Sequence, residues 1–118
     1  NNRDVYFKTN QPHYLNEVGL TYKCVKENGG IVEINSRGIY RKKYHECFPH
    51  VDGIKKCMEL NIPMTLASDS HHPDELSLGL DLSINTAREA GLDVVSVFNN
   101  GRWEPIPLES VLYNKIDL

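Results

Sequence analysis

The chain has 118 residues, a net charge of −3, 40% apolar side chains and 25% charged ones. That balance fits one globular unit or a piece of a larger one and excludes a disordered chain; no apolar stretch approaches the roughly 20 residues of a membrane helix. Basic residues are dispersed apart from Arg41-Lys42-Lys43, which excludes an extended nucleic-acid surface and leaves room for a phosphate-sized contact. The three cysteines, Cys24, Cys47 and Cys57, form no Cys-x-x-Cys pair, so reduced thiols in a cytoplasmic protein are expected. There is no charged-then-apolar leader. The abrupt polar start at Asn1 reads as a piece of a longer chain.

In chain order, Asp4-Val5-Tyr6-Phe7 suggests a short strand or ordered turn. Pro12 suits the first turn of a helix, where a missing N–H is harmless. Leu15, Val18, Tyr22 and Val25 then give one apolar helical face, closed by Asn28-Gly29-Gly30. Ile31-Val32-Glu33-Ile34-Asn35 reads as a strand, residues 36–46 as a polar, basic and aromatic loop. Pro49 opens a second helix through Val51, Ile54, Cys57 and Met58 that ends at Leu60-Asn61.

A buried strand follows at Pro63-Met64-Thr65-Leu66-Ala67, and a third helix spans residues 80–90 with Leu80, Ile84 and Ala87 on one face and Gly91 just past its end. Residues 93–98 form the next strand, Asn99-Asn100-Gly101 a turn, and residues 102–106 a returning strand or extended segment. Residues 107–112 suggest a short final helix. Helices alternating with strands through short loops predict parallel α/β packing. Three core strands cannot close a barrel, which normally takes eight and about 250 residues, so either the sheet is small and open or half a barrel is missing.

The chemistry concentrates in Ser68-Asp69-Ser70-His71, directly after the strand at 63–67. In parallel α/β proteins, ligands bind beyond the carboxyl ends of the strands. Asp69 and His71 offer one oxygen and one nitrogen donor, a mixture that suits Zn, Mn or Fe. Their spacing alone leaves two readings open, a pair of metal ligands or an ordinary turn and helix cap.

A wider pattern surrounds that pair. Glu33-Ile34-Asn35-Ser36, Gly38-Ile39-Tyr40-Arg41, Glu46-Cys47-Phe48-Pro49 and Ile62-Pro63 through His71 and Pro73, followed by Arg88-Glu89-Ala90-Gly91-Leu92 and Val97-Phe98, resemble the carboxyl-terminal portion of a PHP-family phosphoesterase, nearest its histidinol-phosphatase branch. The resemblance covers roughly residues 12–107. It implies the end of a distorted (βα)7 TIM-like barrel, residues 1–118 forming a single unit whose amino-terminal half is absent. It also implies up to three divalent ions (Zn, Mn or Fe) and hydrolysis of a small phosphomonoester, histidinol phosphate in histidine biosynthesis.

In that frame Asp69 and His71 match the family's late Asp-x-His and become metal ligands and catalytic residues. Arg41 becomes the grip on the substrate phosphate. The chain has no His-x-His and no clear match to the family's middle motifs, so the remaining ligands are expected from a parent chain and the isolated segment is expected to be inactive. Glu33, inside an apolar strand, either faces the barrel interior as a substrate-binding residue, where it needs a cation, a donor or a metal-bound water, or faces a helix end or a solvated edge. Arg41, on its own, could equally be a solvated loop arginine. His45 and His50 are surface residues or substrate contacts, and His72 is expected at the surface. His13, in the first turn of its helix, is expected to be non-catalytic, and Trp103 is expected to cover one end of the core or cap the sheet.

Two alternatives remain: a PHP phosphoesterase for another small phosphomonoester, or a non-catalytic α/β binding module. No nucleic-acid or membrane partner is expected, and an incomplete barrel with open sheet edges is expected to self-associate.

Overall fold

A computed structural model describes residues 8–43 and 45–113. The strand or turn expected at residues 4–7 lies outside them. The first helix, α1 (Pro12–Glu27), leads to β1 (Val32–Asn35); a short helix α2 (Arg37–Tyr40) follows, then α3 (Val51–Glu59) and β2 (Met64–Ala67). A 3-10 turn (Pro73–Glu75) precedes α4 (Leu80–Glu89), the hairpin of β3 (Val94–Asn99) and β4 (Arg102–Pro107), and a last short helix, α5 (Ser110–Tyr113).

Three helices reach the next strand through the same turn. After α1, Gly30 N–H donates to Val25 O and Gly29 N–H to Lys26 O; after α3, Ile62 bonds Cys57 and Asn61 bonds Met58; after α4, Leu92 bonds Ala87 and Gly91 bonds Arg88. Each is a Schellman cap, which needs one residue in the left-handed region. Gly29 (φ 65°), Asn61 (φ 53°) and Gly91 (φ 88°) supply it.

β1 and β2 are parallel, with Val32 opposite Met64 through to Asn35 opposite Ala67. β3 and β4 are antiparallel, joined by Asn100 (φ 49°) and Gly101 (φ 79°), the pair of positive φ values that a tight hairpin turn demands. The strands therefore form two two-stranded sheets, β2 lying against β3. This is a mixed α/β arrangement rather than a uniformly parallel one: a two-residue loop can only return the chain antiparallel, since a parallel neighbour needs a long crossover. Pro105 and Pro107 suit β4, which pairs on one side only.

The core lies between the sheets and the helices α3 and α4. Ile34, Ile54, Cys57, Ile62, Met64, Ile84, Ala87, Val95 and Leu108 are buried there, each large aliphatic chain contributing about 1.5–3 kcal/mol. Tyr22 and Val25 bring the second half of α1 onto this core, while Leu15 and Leu20 stay exposed. Burial pushes the Tyr22 phenol up to about 12, with Cys57 beside it, and the Cys57 thiol up to about 11. Cys47 and Cys57 are buried free thiols, whereas Cys24 is exposed.

Other expectations shift in detail. The segment after β1 is not all loop, because α2 forms within it. α3 starts at Val51 with His50 as its N-cap, so Pro49 precedes the helix. Trp103 does not cover the core: it is half exposed on β4 and meets Phe98 of β3 at 5.4 Å between ring centroids. Among the described residues no helix is long and apolar enough to cross a membrane.

Candidate functional site at the ends of the parallel strands

The carboxyl end of β1 is shaped by short polar side chains. Asn35 accepts the Arg37 N–H on Oδ1 (2.8 Å), which starts α2, and its Nδ2 donates to Glu33 Oε1 (2.6 Å). Ser36 is fully buried; its Oγ donates to Leu78 O (2.7 Å) and its N–H to Ala67 O. Gly79 (φ 73°) passes so close that a Cβ there would lie 3.0 Å from Ser36 Cβ. A side chain at residue 79 would disturb the turn into α4.

At the carboxyl end of β2, Ser68 is buried and donates to Leu76 O (2.9 Å). Asp69 follows with φ 51°, and residues 70–75 curl back so that Glu75 Oε2 accepts the His71 N–H (2.9 Å). His72 caps the 3-10 turn by accepting from Asp74 N–H and is exposed.

Side chains from α2 bridge the two ends. Tyr40 OH donates to Ser68 O (2.8 Å). Arg37 Nη1 donates to Asp69 O (2.6 Å), touches His71 Nδ1, and pairs with Glu75 at 3.3 Å. Arg41 pairs with the other Glu75 oxygen at 3.8 Å and keeps half of its side chain exposed. The His71 amide above all holds the Glu75 carboxyl below its ordinary range; burial opposes it, and the Arg37 and Arg41 guanidinium groups and the Tyr40 hydroxyl add to the lowering.

The expected residues fall out as follows. Arg41, Glu33 and Asp69 line one cleft of about 1230 Å³, together with Asn35, Arg37 and His50. Glu33 is exposed, so its strand position carries no buried charge. His71 is not among the residues that line the cleft; it lies beside Asp69, its Nδ1 3.9 Å from Asp69 Oδ1 and 2.9 Å from Asp69 O. His45 and His13 are exposed.

As metal donors, Asp69 and His71 are of the right kinds, an oxygen and a nitrogen. They do not complete a centre: among the described residues no group of three or more His, Cys, Asp or Glu side chains is placed to hold an ion. A guanidinium only donates and a carbonyl only accepts, so His71 Nδ1 serves one of its two neighbours at a time: it accepts from Arg37 when it carries no proton and donates to Asp69 O when it does.

Arg37, Tyr40 and Glu75 were not singled out in the sequence. A signal existed: Asn35-Ser36 is a helix-starting pair, and it puts Arg37, Tyr40 and Arg41 on one face at three- and four-residue spacing. Glu75 gave none, since its role depends on how residues 70–75 fold back. Comparison with known proteins identifies no relative: no family model matches the chain, and no curated protein matches it at a significant level.

Proposed function

We propose that the chain is the carboxyl-terminal part of a distorted (βα)7 barrel of the PHP phosphoesterase type, and that its parent protein hydrolyses a small phosphomonoester, histidinol phosphate foremost, with divalent ions. The observation that carries this reading is the convergence of Asp69, Arg41 and Glu33 on one cleft, Asp69 and Arg41 lying beyond the carboxyl ends of a parallel strand pair and Glu33 on β1 itself, with His71 beside Asp69.

The roles follow from the side chains' chemistry. Arg41 is half exposed and shares Glu75 with Arg37, so its remaining donors are open to phosphate oxygens in the bidentate manner that guanidinium favours. Glu33, oriented by Asn35, can accept from a cationic or hydroxyl group of the esterified alcohol. Asp69 and His71 would supply two ligands to an ion of Zn, Mn or Fe type, the others coming from outside the described residues. When bound, such ions polarise a phosphoryl oxygen and acidify water.

The test is phosphate release from L-histidinol phosphate by the longer parent chain with Mn or Zn. Activity should disappear in Asp69→Ala, and kcat/KM should fall about 10²-fold in Arg41→Ala, the scale for losing a charged contact to the transferred group. Turnover confined to other phosphomonoesters would keep the chemistry and discard the substrate. The incomplete ligand pair favours a second reading, a non-catalytic binding module, and absence of turnover on every phosphoester would select it.

A further inference from the structure

Asp69 occupies a backbone conformation that it does not favour. Its φ of 51° is in the left-handed region, where a non-glycine residue is strained by of order 1 kcal/mol and persists only if its surroundings hold it there. What surrounds it is a set of donors aimed at carbonyls rather than at its carboxylate. Asp69 O accepts from Arg37 Nη1 at 2.6 Å, with Tyr40 OH at 3.4 Å, and the preceding carbonyl, Ser68 O, accepts from Tyr40 OH at 2.8 Å. Turning Asp69 into an extended or right-handed conformation would swing its carbonyl away from Arg37.

Arg37 is itself fixed from both ends. Its amide is bound by Asn35 Oδ1, its guanidinium is paired with Glu75, and its side chain is three-quarters covered. Arg41, four residues on, pairs more loosely with the same carboxylate and is twice as exposed. The two arginines therefore divide the work: one is tied into the backbone of the opposite loop, the other is free for a ligand.

We propose that Arg37 is a positioning residue. By binding the Asp69 carbonyl it holds residue 69 in the left-handed conformation that keeps Asp69 on the cleft wall, and it fixes the end of β2 against the end of β1. The consequence for ligand binding rests on the phosphoesterase reading; the backbone role does not.

The experiment uses the full 118-residue chain and reads residue 69 by NMR, through its HN–Hα coupling and Cα and Cβ shifts, which report a positive φ directly. The unsubstituted chain should show that signature and Arg37→Gln should lose it, with the shifts of β3 and β4 unchanged as proof of folding. A signature retained in Arg37→Gln overturns the proposal. Urea unfolding supplies a second measure through Asp69→Gly, which adopts positive φ without strain. Arg37→Gln should lower the folding constant about tenfold less in the Asp69→Gly background than in the parent, a coupling of ordinary size for contacting residues. If Arg37→Gln unfolds the parent outright, Asp69→Gly should restore folding; equal losses in both backgrounds, or unfolding in both, count against the proposal. Phosphate release from the longer chain separates the two claims. Loss of the signature without turnover in any chain leaves Arg37 in its role and removes the phosphoesterase reading, whereas turnover with residue 69 unmoved does the reverse.

Discussion

The parallel pair and the antiparallel hairpin of this chain are stabilised in opposite ways. At the ends of β1 and β2, side chains bind backbone groups 28 to 42 residues away: Ser36 reaches Leu78, Tyr40 reaches Ser68 and Arg37 reaches Asp69. The hairpin closes through its own ladder and the turn at Asn100-Gly101; it buries Val95 in the core but leaves Phe98 and half of Trp103 in solvent. Parallel strands cannot be joined by a tight turn, so their ends are brought together by long-range bonds, and polar side chains must be placed there to make them. Those same side chains are what gives the strand ends their chemistry. The hairpin closes locally and gathers no comparable cluster.

The largest expected effect breaks the comparison at its root. Ile34 is fully buried in β1, so Ile34→Ala should destabilise the chain by about 2–5 kcal/mol in urea unfolding. Phe98→Ala on β3, with 63% of its residue exposed, should stay within about 1 kcal/mol. Similar losses at both sites would mean that the hairpin shares the core as fully as the parallel pair.

A smaller contrast comes from two glycines with the same sign of φ. Gly79 (φ 73°) lies against Ser36, while nothing approaches a Cβ at Gly101 (φ 79°). Gly101→Ala should lose about 1 kcal/mol for the left-handed conformation alone. Gly79→Ala should lose about 2–3 kcal/mol, because it adds a collision with a buried serine that bonds Leu78. Equal losses would show that the Ser36–Gly79 approach is soft.

How far the sequence revealed this arrangement follows the same division between local and distant interactions. Periodicity and caps located α1, α3 and α4, because their stripes and the residues Gly29 and Gly91 are written locally. The tight turn before β4 was equally local. The repeated Schellman cap was missed at Asn61, whose positive φ is rarer than glycine's. At the site, Asp69 was visible from its place after a strand, and its left-handed backbone was not, because Arg37 and Tyr40 impose it from across the fold. Leu15 marks the other failure. A regular stripe predicted a buried face, but only the second half of α1 finds a core to cover.

The smallest expected effect concerns pH and the carboxylate that joins the two strand ends. Glu75 ionises below its ordinary value of 4.5 because the His71 amide and the two arginines favour its charged form. Its stabilising effect is therefore fully present above the unfolded carboxyl's pKa, and it fades as acid carries the chain down through that value to the lowered one. Glu75→Gln keeps an acceptor for the amide and loses the charge that Arg37 and Arg41 pair with. The stability difference between the parent and Glu75→Gln should then be greatest near neutrality and shrink below pH 4.5. Amide exchange should locate the change, with His71, whose N–H bonds Glu75, losing protection in acid and the hairpin amides of Val97 and Glu104 keeping theirs. A difference that is constant with pH would mean that Glu75 holds the loop by hydrogen bonding alone, leaving Arg37 tied to the opposite loop through the Asp69 carbonyl and its contact with His71.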